Sequence, residues 1–328
     1  MKSLDAKLAR IHADPHGARD FILADAKDAD MARGLAATGV DRATGRPRSL
    51  ADYRDQMREV VGQGLVDIML MSVSTSEVLT LEEGLFEDSD VTPAVRINDS
   101  TDIHLAAGAT YAEQPSLPFA TATAAQVVGC GGADLGLYSI TLNNDAALDR
   151  ATLHAYRDFR LEAETTGLRH FLEVFDPNAP VAHQPPDTGR FLNDVIARTL
   201  AGVARAARPL FLKLPYHGAQ AMEELAAYDP HLVPGVLGGS SGTTHDAFRL
   251  LQDARRHGAR AALFGRKINA SEHQLTFVRH LRLIADDELE AEEAVRSYHA
   301  ELARMKIAAT RPLADDLELT ETEPHAHS

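Results

Sequence analysis

The feature that most constrains the fold of this chain is a regular alternation of short apolar segments with longer amphipathic segments. Each apolar segment has the length of a strand, and the segment after it spaces its apolar residues as a helix does. Eight such units predict an α/β fold, a parallel sheet closed into a (β/α)8 TIM barrel. The alternative is an open doubly wound sheet, which the glycine-rich ends of the last two strands disfavour. The predicted strands begin at Phe21, Val66, Val91, Ala133, Arg169, Pro209, His231 and Arg260.

The helical pattern continues beyond the eighth unit. The segment after Asp286, ELEAEEAVRSYHAELARMK, predicts one extra C-terminal helix, and its exposed side is a candidate surface for assembly into a homo-oligomer. We therefore expect a single barrel domain over residues 1–311, with an N-terminal extension, and an acidic, frayed tail over residues 312–328. Two long connections, residues 28–48 and 99–118, are expected at the C-terminal face of the barrel, where active sites of this fold are built.

Composition excludes several classes of partner. The chain has 33 Lys and Arg against 48 Asp and Glu, a net charge of −15, which argues against nucleic acid as the main ligand. Cys130 is the only cysteine, so neither an internal disulfide nor a Cys/Cys zinc site can form. With no signal-peptide pattern and no apolar run of roughly 20 residues, we expect a cytoplasmic protein that does not bind membranes. The histidines show no metal-ligand spacing, so we expect neither a metal nor another cofactor.

A lysine on the sixth strand is the first catalytic candidate. In PLFLKLPY, the period of a strand places Leu212 and Leu214 towards the helices, and Phe211 and Lys213 towards the barrel interior. Burial disfavours a charged amine, so we expect it to lower the pKa of Lys213. A neutral amine is the nucleophile that forms a Schiff base with a carbonyl group. The alternative is a structural ion pair between Lys213 and an interior carboxylate.

The ends of strands seven and eight carry the pattern of a phosphate site. Strand seven ends in the glycine doublet of VPGVLGGSSG, and strand eight ends in LFGRK. In barrels these two loops frequently bind phosphate through backbone amides, and glycines let the backbone approach the anion. Thr243 and Thr244 are expected to open a helix nearby. The alternative is that the glycines only form tight turns. The predicted substrate-phosphate-binding residues are Gly238, Gly239, Ser240, Gly265 and Arg266.

Three motifs together are similar to those of a known family. K-L-P-Y on strand six, G-G on strand seven and F-G-R-K-I on strand eight resemble the DeoC/LacD aldolase superfamily. Within it, the chain looks most like the DhnA-type (archaeal-type) class I fructose-bisphosphate aldolases and their autoinducer-processing relatives. The resemblance is close over residues 209–274, while upstream only FILADAKDAD resembles the family's acidic first strand. It implies that Lys213 forms the imine, that the glycines and Arg266 hold a phosphate, and that Asp25 is an acidic active-site residue.

Strand four departs from the family pattern. The family carries a tyrosine there as proton donor, whereas this strand reads GLYSITL. Tyr138 aligns with the family's first aromatic position, and Thr141 occupies the position of the catalytic tyrosine. A threonine does not easily replace a phenol as an acid, so Asp25, Glu173 and Tyr138 are the candidates for proton transfer.

Other charged residues on the strands add to the predicted site. Lys27 shares a strand face with Asp25, and it would either lower the pKa of Lys213 by repulsion or form a salt bridge with Asp25. Glu173 is expected in the interior, as an acid–base group or as a partner of a lysine. Arg96 is a candidate for a second anion site, the alternative being a salt bridge with Glu173.

These residues predict a metal-independent class I aldolase-type lyase, a carbon–carbon lyase of carbohydrate metabolism. Its substrate would be a small phosphorylated carbonyl or sugar compound. One alternative keeps the imine but isomerises a phosphorylated sugar or transfers an acyl group. The other alternative is a catalytically silent barrel that binds a phosphorylated ligand.

Overall fold

Eight parallel strands form the centre of the protein. The computed structural model describes residues 1–41, 44–178, 184–239 and 242–320. The strands lie in the order 6-5-4-3-2-1-8-7, and each is hydrogen-bonded in parallel to its neighbours. The strands are β1 (Ile22–Ala26), β2 (Ile68–Met71), β3 (Thr92–Arg96), β4 (Leu135–Thr141), β5 (Arg169–Phe175), β6 (Leu212–Lys213), β7 (Gly235–Gly238) and β8 (Ala261–Phe264).

The sheet closes between its first and last members in this order. The Leu214 backbone N–H donates to the Gly235 carbonyl at 2.9 Å, and the Leu237 N–H donates to the Leu214 carbonyl at 2.8 Å. These bonds join the end of β6 to β7, so the predicted (β/α)8 TIM barrel is confirmed and the open-sheet alternative is wrong.

Helices surround the barrel and close its lower end. The helices over the described residues are α1 (Ser3–Ala13), α2 (Ala29–Arg33), α3 (Leu50–Gln63), α4 (Val73–Ser76), α5 (Ala124–Gly129), α6 (Ala146–Thr166), α7 (Thr188–Ala201), α8 (Gly218–Tyr228), α9 (Thr244–Arg256), α10 (Arg266–Ala270), α11 (Gln274–Ala285), α12 (Ala291–Arg304) and α13 (Leu313–Asp316). None of these helices combines the length and the hydrophobicity that a bilayer crossing requires.

The barrel interior is filled with apolar side chains at its N-terminal end, which leaves the C-terminal end of the interior for polar and charged side chains. Alternate strand residues such as Phe171 and Phe211 point inward, and their rings stack with centroids 4.5 Å apart. Helix α1 covers this end with Leu4, Leu8 and Ile11, which belong to the same apolar cluster. Each large apolar side chain buried here stabilises the fold by about 1.5–3 kcal/mol.

The two long connections meet above the C-terminal face. The loop after β3 contains a short antiparallel pair, Asp99–Ser100 with Pro118–Phe119. The Leu105 N–H donates to the Ala32 carbonyl at 2.7 Å, which joins this loop to the connection after β1. The loops therefore build one wall around the strand ends.

The predicted extra C-terminal helix is α12, and the chain after it remains ordered for longer than expected. One face of α12, including Val295 and Tyr298, packs in the core formed by α9 and α11. Residues 312–320 do not fit the expectation of a frayed tail, because the Asp316 carboxylate accepts from the Thr244 N–H at 2.8 Å and so caps α9. Residues 321–328 lie outside the described residues. Assembly into a homo-oligomer stays a prediction.

Candidate active site

A cavity of about 560 Å³ opens at the C-terminal ends of the strands. Its floor contains Lys213 and Glu173, and its upper wall contains Arg33 and Leu105 from the two long connections. The site therefore lies where the barrel fold places active sites, and it combines strand-borne charges with loop-borne walls.

Lys213 lies at the end of β6 and points into this cavity. Only 7% of the residue is exposed, and its Nζ atom forms an ion pair with the Glu173 carboxylate. The two residues are in register on neighbouring strands, and both side chains face the interior. The sequence left open whether Lys213 is available in the cavity or forms an ion pair with an interior carboxylate. In the structure it lines the cavity and also forms the ion pair.

Glu173 has polar partners on both of its oxygen atoms, hydrogen bonds on one and an ion pair on the other. Its Oε2 atom accepts from the Ser139 hydroxyl at 2.6 Å and from the Arg96 Nη2 atom at 3.3 Å, while Oε1 faces Lys213. The expectation of an interior Glu173 is therefore met. A buried carboxylate held in one orientation between a lysine and an arginine is suited to exchange a proton with the lysine.

The guanidinium group of Arg96 forms ion pairs and hydrogen bonds with other side chains of the protein. Its guanidinium pairs with Asp28 through Nε, and its Nη1 atom donates to the Ser139 hydroxyl at 3.0 Å. Burial acts to lower the pKa of Arg96, but the carboxylates of Asp28 and Glu173 outweigh it and raise that pKa above its ordinary value. Arg96 lines the cavity, yet these contacts favour the salt-bridge alternative over a second anion site.

The glycine-rich strand ends lie on the opposite side of the cavity. Gly238, Gly265 and Arg266 line it. A Cβ atom on Gly238 would lie 2.1 Å from the Phe264 ring, and one on Gly265 would lie 2.4 Å from the Ala26 carbonyl oxygen. Both positions therefore require glycine for close packing of the strands. Ser240 lies outside the described residues.

Two arginines give this side of the cavity a positive charge. Arg33 and Arg266 both line it, and across the described residues neither forms an ion pair. Burial, with the nearby charge of Arg33, lowers the pKa of Arg266 below its ordinary value. Unpaired guanidinium groups beside glycine backbone favour an anionic ligand group here.

The N-terminus of α9, which was expected to assist phosphate binding, is hydrogen-bonded to other residues of the same chain. Thr243 caps α9 as predicted, in a capping box with Asp246. However, the Thr244 N–H donates to Asp316, and the Thr243 hydroxyl donates to the Glu318 carbonyl at 2.8 Å. The N-terminus of α9 is therefore satisfied by residues 312–320, and this part of the prediction is corrected.

The structure places Asp25 and Lys27 outside the cavity. On β1, Ile22 and Ala24 point inward, so Leu23 and Asp25 point towards the helices. Asp25 Oδ2 and Lys27 Nζ lie 3.1 Å apart and both residues are fully buried, so the salt-bridge alternative is the one observed. Burial raises the pKa of Asp25 and lowers that of Lys27. The expectation that Asp25 faces the substrate cavity is not met.

Tyr138 also lies on the helix-facing side of its strand. Its ring stacks on Phe159 with centroids 4.4 Å apart, and burial raises the pKa of its phenol above the ordinary value. It does not line the cavity. Thr141 points to the interior instead, and its hydroxyl donates to Asp102 Oδ2 at 3.2 Å.

Three carboxylates in the cavity wall were not predicted. Asp28 follows β1, Asp176 follows β5, and Asp102 lies in the long connection after β3. Asp102 is 6% exposed and also accepts from the Ser116 hydroxyl at 2.7 Å. Asp176 is hydrogen-bonded to the His217 Nε2 atom at 2.7 Å. Their position directly after a strand could have identified Asp28 and Asp176, whereas Asp102 has no comparable local signal.

No arrangement of three or more His, Cys, Asp or Glu side chains that could hold a metal ion occurs in the part of the chain that the structure describes. The carboxylates of Glu173 and Asp28 are instead paired with the cations Lys213 and Arg96.

Comparison with solved structures finds the same barrel in aldolases. An archaeal fructose 1,6-bisphosphate aldolase superposes with a TM-score of 0.63 at 15% identity, covering 87% of this chain and 100% of that chain. The fructose-bisphosphate aldolase from Slackia heliotrinireducens DSM 20476 gives a TM-score of 0.65 at 14% identity and covers 92% of each chain. A third, an archaeal enzyme with its catalytic lysine covalently bound to the carbinolamine intermediate, gives 0.62 at 15% identity, covering 87% and 100%.

The chain therefore shares the (β/α)8 barrel fold of these solved aldolase structures. The structural resemblance expected from the motifs on strands six to eight is confirmed. No protein-family model matches the sequence, and no curated protein matches it. At about 15% identity the aldolase-like barrel is established as a fold, and its chemistry has to be argued from the cavity itself.

Proposed function

We propose that this protein is a class I aldolase-type lyase that forms a Schiff base with a small phosphorylated carbonyl compound. The observation that carries the proposal is the Lys213–Glu173 pair at the floor of the cavity. A lysine amine that opens to a cavity and touches a fixed carboxylate has both requirements of imine formation, a nucleophile and a proton acceptor.

Imine formation begins with transfer of a proton from the Lys213 ammonium to Glu173. The neutral amine attacks the substrate carbonyl carbon, and the carbonyl oxygen becomes the hydroxyl of a carbinolamine. Loss of that hydroxyl as water, with a proton returned by Glu173, leaves a protonated imine on Lys213. Ser139 and Arg96 hold the carboxylate in place through hydrogen bonds during both transfers.

Cleavage requires a second base, because a proton must leave the substrate's β-hydroxyl group. Asp102 is suited to take this proton, since it lines the cavity and its two oxygens are oriented by the Ser116 and Thr141 hydroxyls. The electrons of the broken C–C bond then pass to the imine, giving an enamine and a free aldehyde. Thr141 occupies the family's tyrosine position, and through this contact it supports a carboxylate in place of a phenol.

The positive side of the cavity would hold the phosphate. Arg33 and Arg266 lie near each other at the rim, beside the backbone of Gly238 and Gly265. A phosphate bound there would fix the carbon chain against Lys213, which supplies the positional part of catalysis. Gly239 and Ser240 stay predictions for this contact.

Borohydride trapping with a panel of phosphorylated ketones and aldehydes tests the proposal. We expect a reduced adduct in the intact mass, located by peptide mapping on Lys213 and absent in Lys213→Met. Lys7→Met is the matched control, because Lys7 lies at the opposite end of the barrel and pairs with Asp67. An adduct on Lys27, or ligand binding without an adduct, would contradict the assignment, and the latter outcome favours a silent binding barrel.

A second candidate function follows from Thr141. With no phenol at this position, the same imine could serve an isomerase or an acyl transferase acting on a phosphorylated sugar. Product analysis separates the candidates: cleavage releases two carbonyl fragments, whereas isomerisation conserves the mass of the substrate.

A further inference from the structure

A second cavity lies at the N-terminal end of the barrel, opposite the candidate active site. It has a volume of about 280 Å³ and is formed by the end of α6, the start of β5 and the segment that precedes β6. Three arginines and one histidine line it: Arg160, Arg169, Arg208 and His170. We call this cavity the basic groove. One carboxylate, Glu164, also lines it.

Arg160 is the central cation of the basic groove. Over the described residues it forms neither an ion pair nor a hydrogen bond, and its Nε atom is buried without a partner. The guanidinium lies over the Tyr156 ring, 5.1 Å from its centroid, which fixes its position. Glu164 is one helical turn away on α6 but does not pair with it. The charge of Arg160 therefore has no protein counterion.

The other two arginines are anchored from outside the groove. Arg169 pairs with Asp5 at 2.6 Å and with Asp134 at 2.7 Å, and Arg208 pairs with Asp229 at 2.9 Å. These contacts hold the guanidinium groups at the groove. Over the described residues the Nε atom of Arg169 is buried and has no hydrogen-bond partner. Of the three guanidinium groups, only that of Arg160 lines the groove without a counterion among these residues.

His170 contributes a neutral surface. Burial, with the nearby charge of Arg160, lowers its pKa to about 4, and its Nε2 atom is hydrogen-bonded to the Tyr156 hydroxyl at 2.9 Å. The ring is therefore uncharged at neutral pH. His170 on β5 is thus linked to Tyr156, whose ring in turn lies under the Arg160 guanidinium.

We propose that the basic groove binds a small anion with a phosphate-type oxyanion group, at a site separate from the candidate active site. Arg160 brings to the groove a positive charge that no described residue balances, and an oxyanion would supply the missing counterion. The planar donor fork of arginine matches phosphate geometry. A nucleic-acid strand does not fit a groove of this size on a chain with a net charge of −15.

Calorimetric titration of the full chain with inorganic phosphate and with inorganic pyrophosphate tests the proposal. We expect Arg160→Gln to weaken binding at the groove at least about tenfold, and Glu164→Gln to strengthen it, because a repelling carboxylate is removed. Arg157→Gln is the matched control, since Arg157 lies on the same helix, pairs with Asp158 and does not line the groove. Thermal unfolding without ligand establishes that each variant is folded.

The active site can also bind phosphate, so Arg266→Gln is titrated in parallel. Groove binding should survive in Arg266→Gln and in Lys213→Met, and borohydride trapping should survive in Arg160→Gln. The proposal is overturned if Arg160→Gln binds both anions as tightly as the parent chain, or if all binding disappears in Arg266→Gln. Neither outcome affects the imine chemistry proposed for Lys213.

Discussion

The side chains of Glu173 and Lys213 form an ion pair between adjacent strands, because the register of β5 and β6 places the two residues side by side with both side chains pointing inward. Glu173 also meets Arg96, so one carboxylate balances two buried cations. This arrangement should make Glu173 important for stability, in addition to the role proposed for it in imine formation.

Glu173→Gln should therefore lower both the stability and the activity of the protein. Removal of the charge leaves Lys213 and Arg96 without this partner, and loss of one member of a buried pair typically lowers the free energy of unfolding by about 3–5 kcal/mol. Urea unfolding measures this loss. Activity should fall by about 10²–10⁴ because the proton acceptor of imine formation is lost. Glu164→Gln, on the surface of α6, is the control for stability. Full activity in a folded Glu173→Gln would remove Glu173 from the mechanism.

Asp102→Asn separates imine formation from cleavage. The variant keeps a side chain of the same shape between Ser116 and Thr141, but it cannot accept the β-hydroxyl proton. We expect borohydride to trap the Lys213 imine as in the parent chain, while kcat for cleavage falls by about 10²–10⁴. Thr141→Val, which removes one donor to Asp102, should cause a smaller loss. Parent-like cleavage by Asp102→Asn would show that another group takes the proton.

Asp99 gives the stability of the protein a specific pH dependence. Burial raises the pKa of Asp99 to about 6, and its Oδ2 atom has no hydrogen-bond partner among the described residues. The folded state therefore holds this proton more tightly than the unfolded state, whose Asp pKa is about 3.9. The sign follows: Asp99 makes the free energy of unfolding fall as pH rises from about 4 to about 6, by about 2–3 kcal/mol in total.

Asp99→Asn should remove this contribution. Measured by urea unfolding between pH 4 and pH 7, the variant should gain stability relative to the parent chain as pH rises, and the difference should level off above pH 6. Asp88→Asn, at an exposed position, serves as the control and should give a difference that does not change with pH. A constant difference for Asp99→Asn as well would mean that Asp99 is ionised throughout this range.

The barrel could be predicted from sequence because each strand combines apolar composition with a helical segment after it. The inward direction of Lys213 could also be predicted, because Phe211 and the leucines beside it identify the two faces of β6. The faces of β1 and β4 could not be predicted in this way. Both strands carry apolar side chains on either face, Ile22 and Leu23 on β1 and Leu137 and Ile140 on β4, so the pattern does not tell which face meets the helices. Asp25 and Tyr138 were misplaced for this reason.

Contacts between segments that are distant in the chain could not be predicted from the sequence either. Asp102 reaches Thr141 only because the connection after β3 folds back over β4, since the two residues are 39 positions apart in the sequence. The ordered segment 312–320 is a similar case, since its acidic composition suggested a tail. The buried N-terminus of α9 that Asp316 caps becomes visible only once the fold is known.

The glycine doublet at the end of β7 offers a matched test of packing. A Cβ atom on Gly238 would lie 2.1 Å from the Phe264 ring, whereas one on Gly239 would meet no atom of the described residues within 4 Å. Gly238→Ala should therefore lower the free energy of unfolding by about 1–3 kcal/mol, since Phe264 or the strand must move, while Gly239→Ala should change it little. Urea unfolding of the two variants side by side measures the difference. Equal stabilities of the two variants would contradict the close packing of Gly238 against the Phe264 ring.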